Sequence, residues 1–129
     1  MRKAIHPAAA PRPRGPYSPA IVAEGFVFVA GQGPVNPQTN ELELGDVRSE
    51  TRRTLENIRI ILQAAGSSLR DVVRVGVFLA DMNDFAAMNE VYREFFPAAP
   101  PARTTVGAQL PKIKVEIDCI ARVRKARRR

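Results

Sequence analysis

The sequence predicts a single α/β domain built on one mixed β-sheet, with two helices packed on one face. Three observations carry that prediction. At 129 residues the chain is sized for one core. Short apolar runs of strand period punctuate it, and two longer stretches of helical period lie between those runs. The resulting order is β-β-α-β-α-β-β, with a further short strand expected near Ile5. Two helices cannot cover both faces of such a sheet, so one face is left to meet water or another chain.

The elements follow in order. Residues 7–14 carry three prolines, which exclude a regular helix or a central strand. Residues 1–14 therefore read as an extended arm leading into Gly15-Pro16-Tyr17-Ser18-Pro19. Apolar runs at 20–23 and 26–30 flank Glu24-Gly25, a hairpin signal with its turn supplied. Gly31-Gln32-Gly33-Pro34 is expected to stop the second strand, and 36–44 reads as a loop. Asp46 is placed to cap a helix in which Val47, Thr51, Leu55, Ile58, Leu62 and Ala65 form one face. Arg48, Glu50, Arg52, Arg53, Glu56 and Arg59 fall mostly on its wet side, and Gly66 ends it.

Val73, Val75, Val77 and Leu79 then alternate with Arg74, Gly76 and Phe78, a third long strand. Asn83-Asp84 is expected to cap a second helix with an inner stripe of Phe85, Met88, Tyr92 and Phe95, and the prolines at 97, 100 and 101 end it. A stripe of this spacing reads as core packing rather than as a cofactor box. Strands are expected at 103–109 and 114–122. In the last of them Val115, Ile117, Cys119 and Ala121 point to the helices. Glu116, Asp118, Ile120 and Arg122 point to the open face, a mixture suited to a subunit interface containing a polar site.

The net charge of +7 is unevenly placed. Residues 122–129 hold six of the twenty basic residues, and without them fourteen basic residues face thirteen acidic ones, a net of +1. A terminal charge run reads as a solvated, disordered tail on a nearly neutral body, which argues against nucleic acid as the main partner. Non-specific RNA binding through the tail stays physically open. A single cysteine excludes an intrachain disulfide, no segment reads as a signal peptide, and no apolar run is long enough for a membrane span. The cytoplasm is the expected location. With one histidine, His6, neither a zinc site nor a Ser-His triad is expected, and no glycine-rich phosphate loop opens a helix, so no cofactor is expected.

Several segments resemble the reactive-intermediate deaminase (Rid, or YjgF) family. They are Gly15-Pro16-Tyr17-Ser18; Val29-Ala30-Gly31-Gln32 with Pro34-Val35-Asn36-Pro37; and residues 83–89 with Tyr92 and Phe95-Phe96. To these are added residues 101–106, Leu110-Pro111-Lys112 and Val115-Glu116-Ile117-Asp118. They stand in family order and span the chain from residue 15 nearly to residue 123. The resemblance implies a chorismate-mutase-like fold and a homotrimer, with the open sheet faces forming a central barrel and three clefts between subunits. It further implies hydrolysis of 2-imino or enamine acids, such as 2-aminoacrylate and its imine tautomer, to a 2-keto acid and ammonia.

By that resemblance Arg103 binds the substrate carboxylate, for which a guanidinium offers a bidentate fork. Without it, Arg103 would read as a strand arginine in a surface ion pair. Glu116 matches the position that holds and deprotonates the attacking water; otherwise it is an interface carboxylate. Tyr17 matches an aromatic that closes the cleft, or packs beside Pro16. Asn89 matches a helix-borne amide at the site, or an exposed polar position. Gly31 and Gln32 are expected to shape the wall through backbone groups. Thr105 and Ala30 stand where many deaminating members carry cysteine and serine. Thr105 keeps a hydroxyl and loses the thiol, which imine hydrolysis does not require. Cys119, on the opposite strand face from Glu116, reads as a buried small hydrophobe.

Four functions stay open on the sequence. They are a deaminase of small 2-imino acids, a deaminase of a larger enamine of aminomuconate type, a non-catalytic trimer that binds keto acids, and an RNA-associated protein.

Overall fold

The computed structural model describes residues 2–124. The sheet has six strands: β1 (Arg2–Ile5), β2 (Ala20–Ala23), β3 (Phe26–Gln32), β4 (Val72–Leu79), β5 (Ala102–Gly107) and β6 (Val115–Arg122). Their order across the sheet is β1-β2-β3-β6-β4-β5, and only β4 and β5 run parallel. Helices α1 (Val47–Ala64) and α2 (Phe85–Phe95) pack against each other, and α1 lies across β3 and β6. Among the described residues no helix is long and apolar enough to cross a membrane.

The hairpin forms where the sequence places it. Glu24 and Gly25 both take positive φ, 51° and 82°, which is what a two-residue turn between twisted strands requires. The leading strand β1 adds antiparallel to β2. Helix α1 starts at Asp46, whose carboxylate accepts from Ser49 N at 2.8 Å. It gives way at Ala65 to Gly66, whose φ of 80° suits the position after a helix end.

Several expectations need correction. Strand β3 runs through Gly31 to Gln32, because its register with β6 shifts between Val29 and Gln32 and the strand bulges instead of stopping. A second shift between Val72 and Arg74 breaks the alternation expected of β4, so Val72 is buried and Val73 is exposed. Strand β5 ends at Gly107. In α2 the buried positions are Met88, Val91 and Tyr92, while Phe85 is 40% exposed and the adjacent Phe96 is buried. The cap also differs: Asp84 makes no side-chain capping bond. Asp81 instead accepts from Asn83 N at 2.9 Å and caps a short 3-10 turn ahead of α2.

Glu50, placed on the wet side of α1 by its spacing, is fully buried. Its two oxygens accept from Gly45 N at 3.1 Å and Lys114 N at 2.7 Å, so it joins the loop before α1 to the start of β6. Residues 122–124 belong to the body rather than to a tail. Arg122 closes β6, Val123 packs against the core, and Arg124 pairs with Asp71 at 2.8 Å. The remainder of the expected tail, 125–129, lies outside the described residues, as does Met1.

The core lies between the helices and one face of the sheet. Val115, Ile117, Cys119 and Ala121 are buried there as expected. The other face carries Phe26 and Phe28 at 37% and 44% exposure, together with Glu116, Asp118 and Ile120.

Candidate active site

The expected site residues fall into two groups, on opposite faces of the sheet. Across the strands Glu116 is level with Phe78, and Phe78 with Val106, which places Glu116 on the open face. Arg103 is level with Val75, and Val75 with Cys119, which places Arg103 on the helix face. Thr105 shares the face of Arg103, level with Val77 and Ile117.

Glu116, Tyr17, Gly31 and Gln32 line one recess of about 360 Å³. The β3 bulge brings the chain at Gly31 directly against the Glu116 side chain. A Cβ added at Gly31 would overlap Glu116 Oε2 and stand 3.0 Å from its Cδ. Gly31 therefore acts by lacking a side chain. Gln32 is buried, and its amide donates back to Ala30 O at 3.1 Å, which steadies the bulge. Tyr17 is exposed at the mouth, its hydroxyl accepting from Arg14 N at 3.1 Å.

Burial raises the pKa of Glu116, and the nearby charge of Asp118 raises it further. Asp118 sits two residues on along the same face, its own carboxylate lying over Gly76. A carboxylate held over glycine, partly desolvated and beside a like charge, is a better proton acceptor than a free one.

The second group, Arg103 and Asn89, lines a recess of about 300 Å³ with Tyr92, Phe96 and Pro101. The Arg103 guanidinium carbon lies 4.6 Å from the ring centre of Tyr92 and 5.6 Å from that of Phe85. Two aromatic rings on α2 flank the cation and hold it by their negative π-density. This is why Phe85 is not core: its ring flanks Arg103 on the neighbouring strand. The Tyr92 hydroxyl is buried without a hydrogen-bond partner among the described residues, and burial pushes its pKa up to about 12. Cys119 is buried, and its thiol is likewise pushed up to about 12 by burial, with Asp118 adding to the effect. It is therefore an unreactive thiol at neutral pH.

Spacing alone did not single out the residues that support these groups. Asn57, fully buried on α1, donates to Gly33 O at 3.2 Å and Val35 O at 2.7 Å. It fixes the loop that walls the Glu116 recess. Arg12, Arg14 and Lys112 stand around the same recess.

The model of the family described as endoribonuclease L-PSP matches residues 7–123. The chain belongs to the Rid/YjgF family. Among curated members of the family, a RutC family protein of Pyrococcus horikoshii is 53% identical over 94% of this chain and 98% of its own length. A protein of Dermatophagoides farinae named 2-iminobutanoate/2-iminopropanoate deaminase is 43% identical over 86% of this chain and 88% of its own. Of solved Rid-family structures, Escherichia coli TdcF with bound serine superposes with a TM-score of 0.87 at 43% identity, covering 95% of this chain and 99% of that one. Names within the family thus range from endoribonuclease to deaminase, and the choice among them rests on the chemistry of the site.

Proposed function

We propose that the protein is a cofactor-free hydrolase of small 2-imino and enamine acids, acting as a homotrimer whose sites lie between subunits. The observation that carries the reading is the separation of Arg103 from Glu116. The anion-binding fork and the proton acceptor lie on opposite faces of one sheet, so one chain cannot offer both to a small substrate. A cyclic assembly that sets the Arg103 surface of one subunit against the Glu116 recess of the next supplies the missing half at every site. The exposed Phe26 and Phe28 on the open face give such an assembly an apolar surface to bury.

The chemistry is short. An enamine acid such as 2-aminoacrylate takes a proton at its terminal carbon and becomes the imine. Arg103 binds the carboxylate through paired N–H bonds. Glu116, ionised, accepts a proton from a water as its oxygen bonds to the imine carbon, giving a carbinolamine. The same carboxyl returns that proton to the nitrogen and, ionised again, takes the hydroxyl proton as the C–N bond breaks, so that a 2-keto acid and ammonia leave and the ammonia carries the last proton away as ammonium. No protein nucleophile enters the sequence, so Thr105 serves where other members have a thiol.

The deciding experiment generates 2-iminopropionate with an amino-acid oxidase and traps residual imine with semicarbazide. Faster imine loss than the protein-free rate, abolished by Arg103→Ala and by Glu116→Gln, is the expected result. A rate equal to the protein-free one would refute the reading.

A further inference from the structure

The Glu116 recess has a cationic rim that the hydrolysis of a simple imino acid does not use. Arg12, Arg14 and Lys112 all border the cavity that holds Glu116. All three are exposed, and among the described residues none forms an ion pair. The arm that carries the two arginines is nonetheless held in place. Arg12 N donates to Asn40 Oδ1 at 2.9 Å, and Arg14 N to the Tyr17 hydroxyl at 3.1 Å. The Arg14 guanidinium also donates to the Asn40 carbonyl. Pro11, Pro13 and Pro16 stiffen the same stretch. Asn40 takes a φ of 62°, which turns its carbonyl and amide towards the arm.

The arrangement is therefore two arginines on an anchored arm, the Arg14 guanidinium itself bonded in place, with a lysine at the same mouth of a recess that has one carboxylate inside. At about 360 Å³ the recess falls within the size range of whole ligand sites, and a three-carbon acid fills only part of it. A reacting carbon placed at Glu116 leaves the remainder of the substrate to run outward, towards the arm.

We infer that Arg12, Arg14 and Lys112 recognise a second anionic group, so that the preferred substrates are 2-imino dicarboxylates rather than 2-imino monocarboxylates. The inference rests on the recess being the substrate site. It assigns the far carboxylate to the rim and the near one to Arg103. Guanidiniums on a stiffened arm lose little freedom when they pair with a carboxylate, which turns charge at the rim into selectivity.

The test compares 2-oxoglutarate with 2-oxopentanoate, ligands of equal chain length that differ in the second carboxylate. Binding to the full-length protein is measured by calorimetry for the wild type and for the Arg12→Gln/Arg14→Gln and Lys112→Gln variants. The wild type is expected to bind the dicarboxylate about tenfold more tightly, a factor within reach of one charge-assisted contact. That preference is expected to shrink in the variants and with added salt. Equal affinity of the wild type for the two acids, or a preference that survives both variants, overturns the inference.

Imine hydrolysis measured on the same samples separates this inference from the functional reading beneath it. A dicarboxylate preference without turnover of either 2-iminopropionate or 2-iminoglutarate refutes the deaminase and supports the rim. Turnover of 2-iminopropionate without a dicarboxylate preference supports the deaminase and refutes the rim.

Discussion

Gly31→Ala tests the site at its tightest point. The β3 bulge brings Gly31 so close to Glu116 that an added Cβ would overlap Oε2 and lie 3.0 Å from Cδ and 3.2 Å from Cγ. The first contact is relieved only by turning the carboxylate, and the other two push the side chain back by a few tenths of an ångström. The backbone itself tolerates alanine, since Gly31 is not among the residues with positive φ. The variant is therefore expected to fold, with stability within ~1 kcal/mol of wild type, because alanine also restricts the unfolded chain. Catalysis should suffer as if the general base were lost, by a factor of roughly 10² to 10⁴ in kcat.

Gly76→Ala is the matched control. Its Cβ would overlap Asp118 Oδ1 and lie 3.3 Å from Cγ, so it displaces the neighbouring carboxylate, which touches the reaction only through the pKa of Glu116. The semicarbazide assay and a thermal melt on both variants decide the matter. A Gly31→Ala protein that melts normally and turns over at the wild-type rate would show that Glu116 is not the base, or that its position does not matter.

Other outcomes follow from the same geometry. Asp118→Asn removes the charge that raises Glu116, so the acid limb of the kcat/KM profile should move to lower pH; an unmoved limb would show that another group titrates. In the wild type that limb should lie above the ordinary carboxylate pKa of 4.5, because activity needs Glu116 ionised and its pKa is raised. Asn57→Ala takes its donor from the buried Val35 carbonyl, while Gly33 O keeps the Val35 N–H, and should cost ~1–3 kcal/mol in chemical denaturation, with a rise in KM as the recess wall loosens. Tyr92→Phe keeps the ring beneath Arg103 and should leave KM near wild type. Tyr92→Leu removes the ring and should raise KM several-fold, and equal KM values for the two variants would show that the ring does not position Arg103.

Much of the fold was legible from periodicity, because local rules governed it. The Glu24-Gly25 turn, the Asp46 cap, the Gly66 stop and the inward set of β6 each depend on a few adjacent residues. The misreadings share a physical cause. Val73 and the end of β3 were misjudged because a bulge shifts the two-residue period, and bulges are set by pairing across strands. Glu50 and Asn57 occupy buried helix positions as polar residues, since backbone groups from distant segments satisfy them there.

For the site, motif resemblance selected Arg103 and Glu116 but carried no information about sheet faces. Their separation follows from the pairing of β4 with both β5 and β6. Phe85 read as core because helical spacing cannot tell a ring packed inward from one that flanks an arginine on the neighbouring strand. The role of Arg12 and Arg14 needed the fold as well: in sequence they are charges in a proline-rich arm, and only the bonds to Asn40 and Tyr17 bring them to the recess of Glu116.

The central claim is that each site takes Arg103 from one subunit and Glu116 from another. Subunit mixing tests it most directly. Arg103→Ala and Glu116→Gln proteins, each inactive alone, are denatured together, refolded and assayed for imine hydrolysis. If the subunits associate at random, roughly a quarter of the sites join an intact Arg103 to an intact Glu116, and activity should return to about that fraction of wild type. A refolded mixture containing hetero-oligomers that is as inactive as its two components would contradict the shared site.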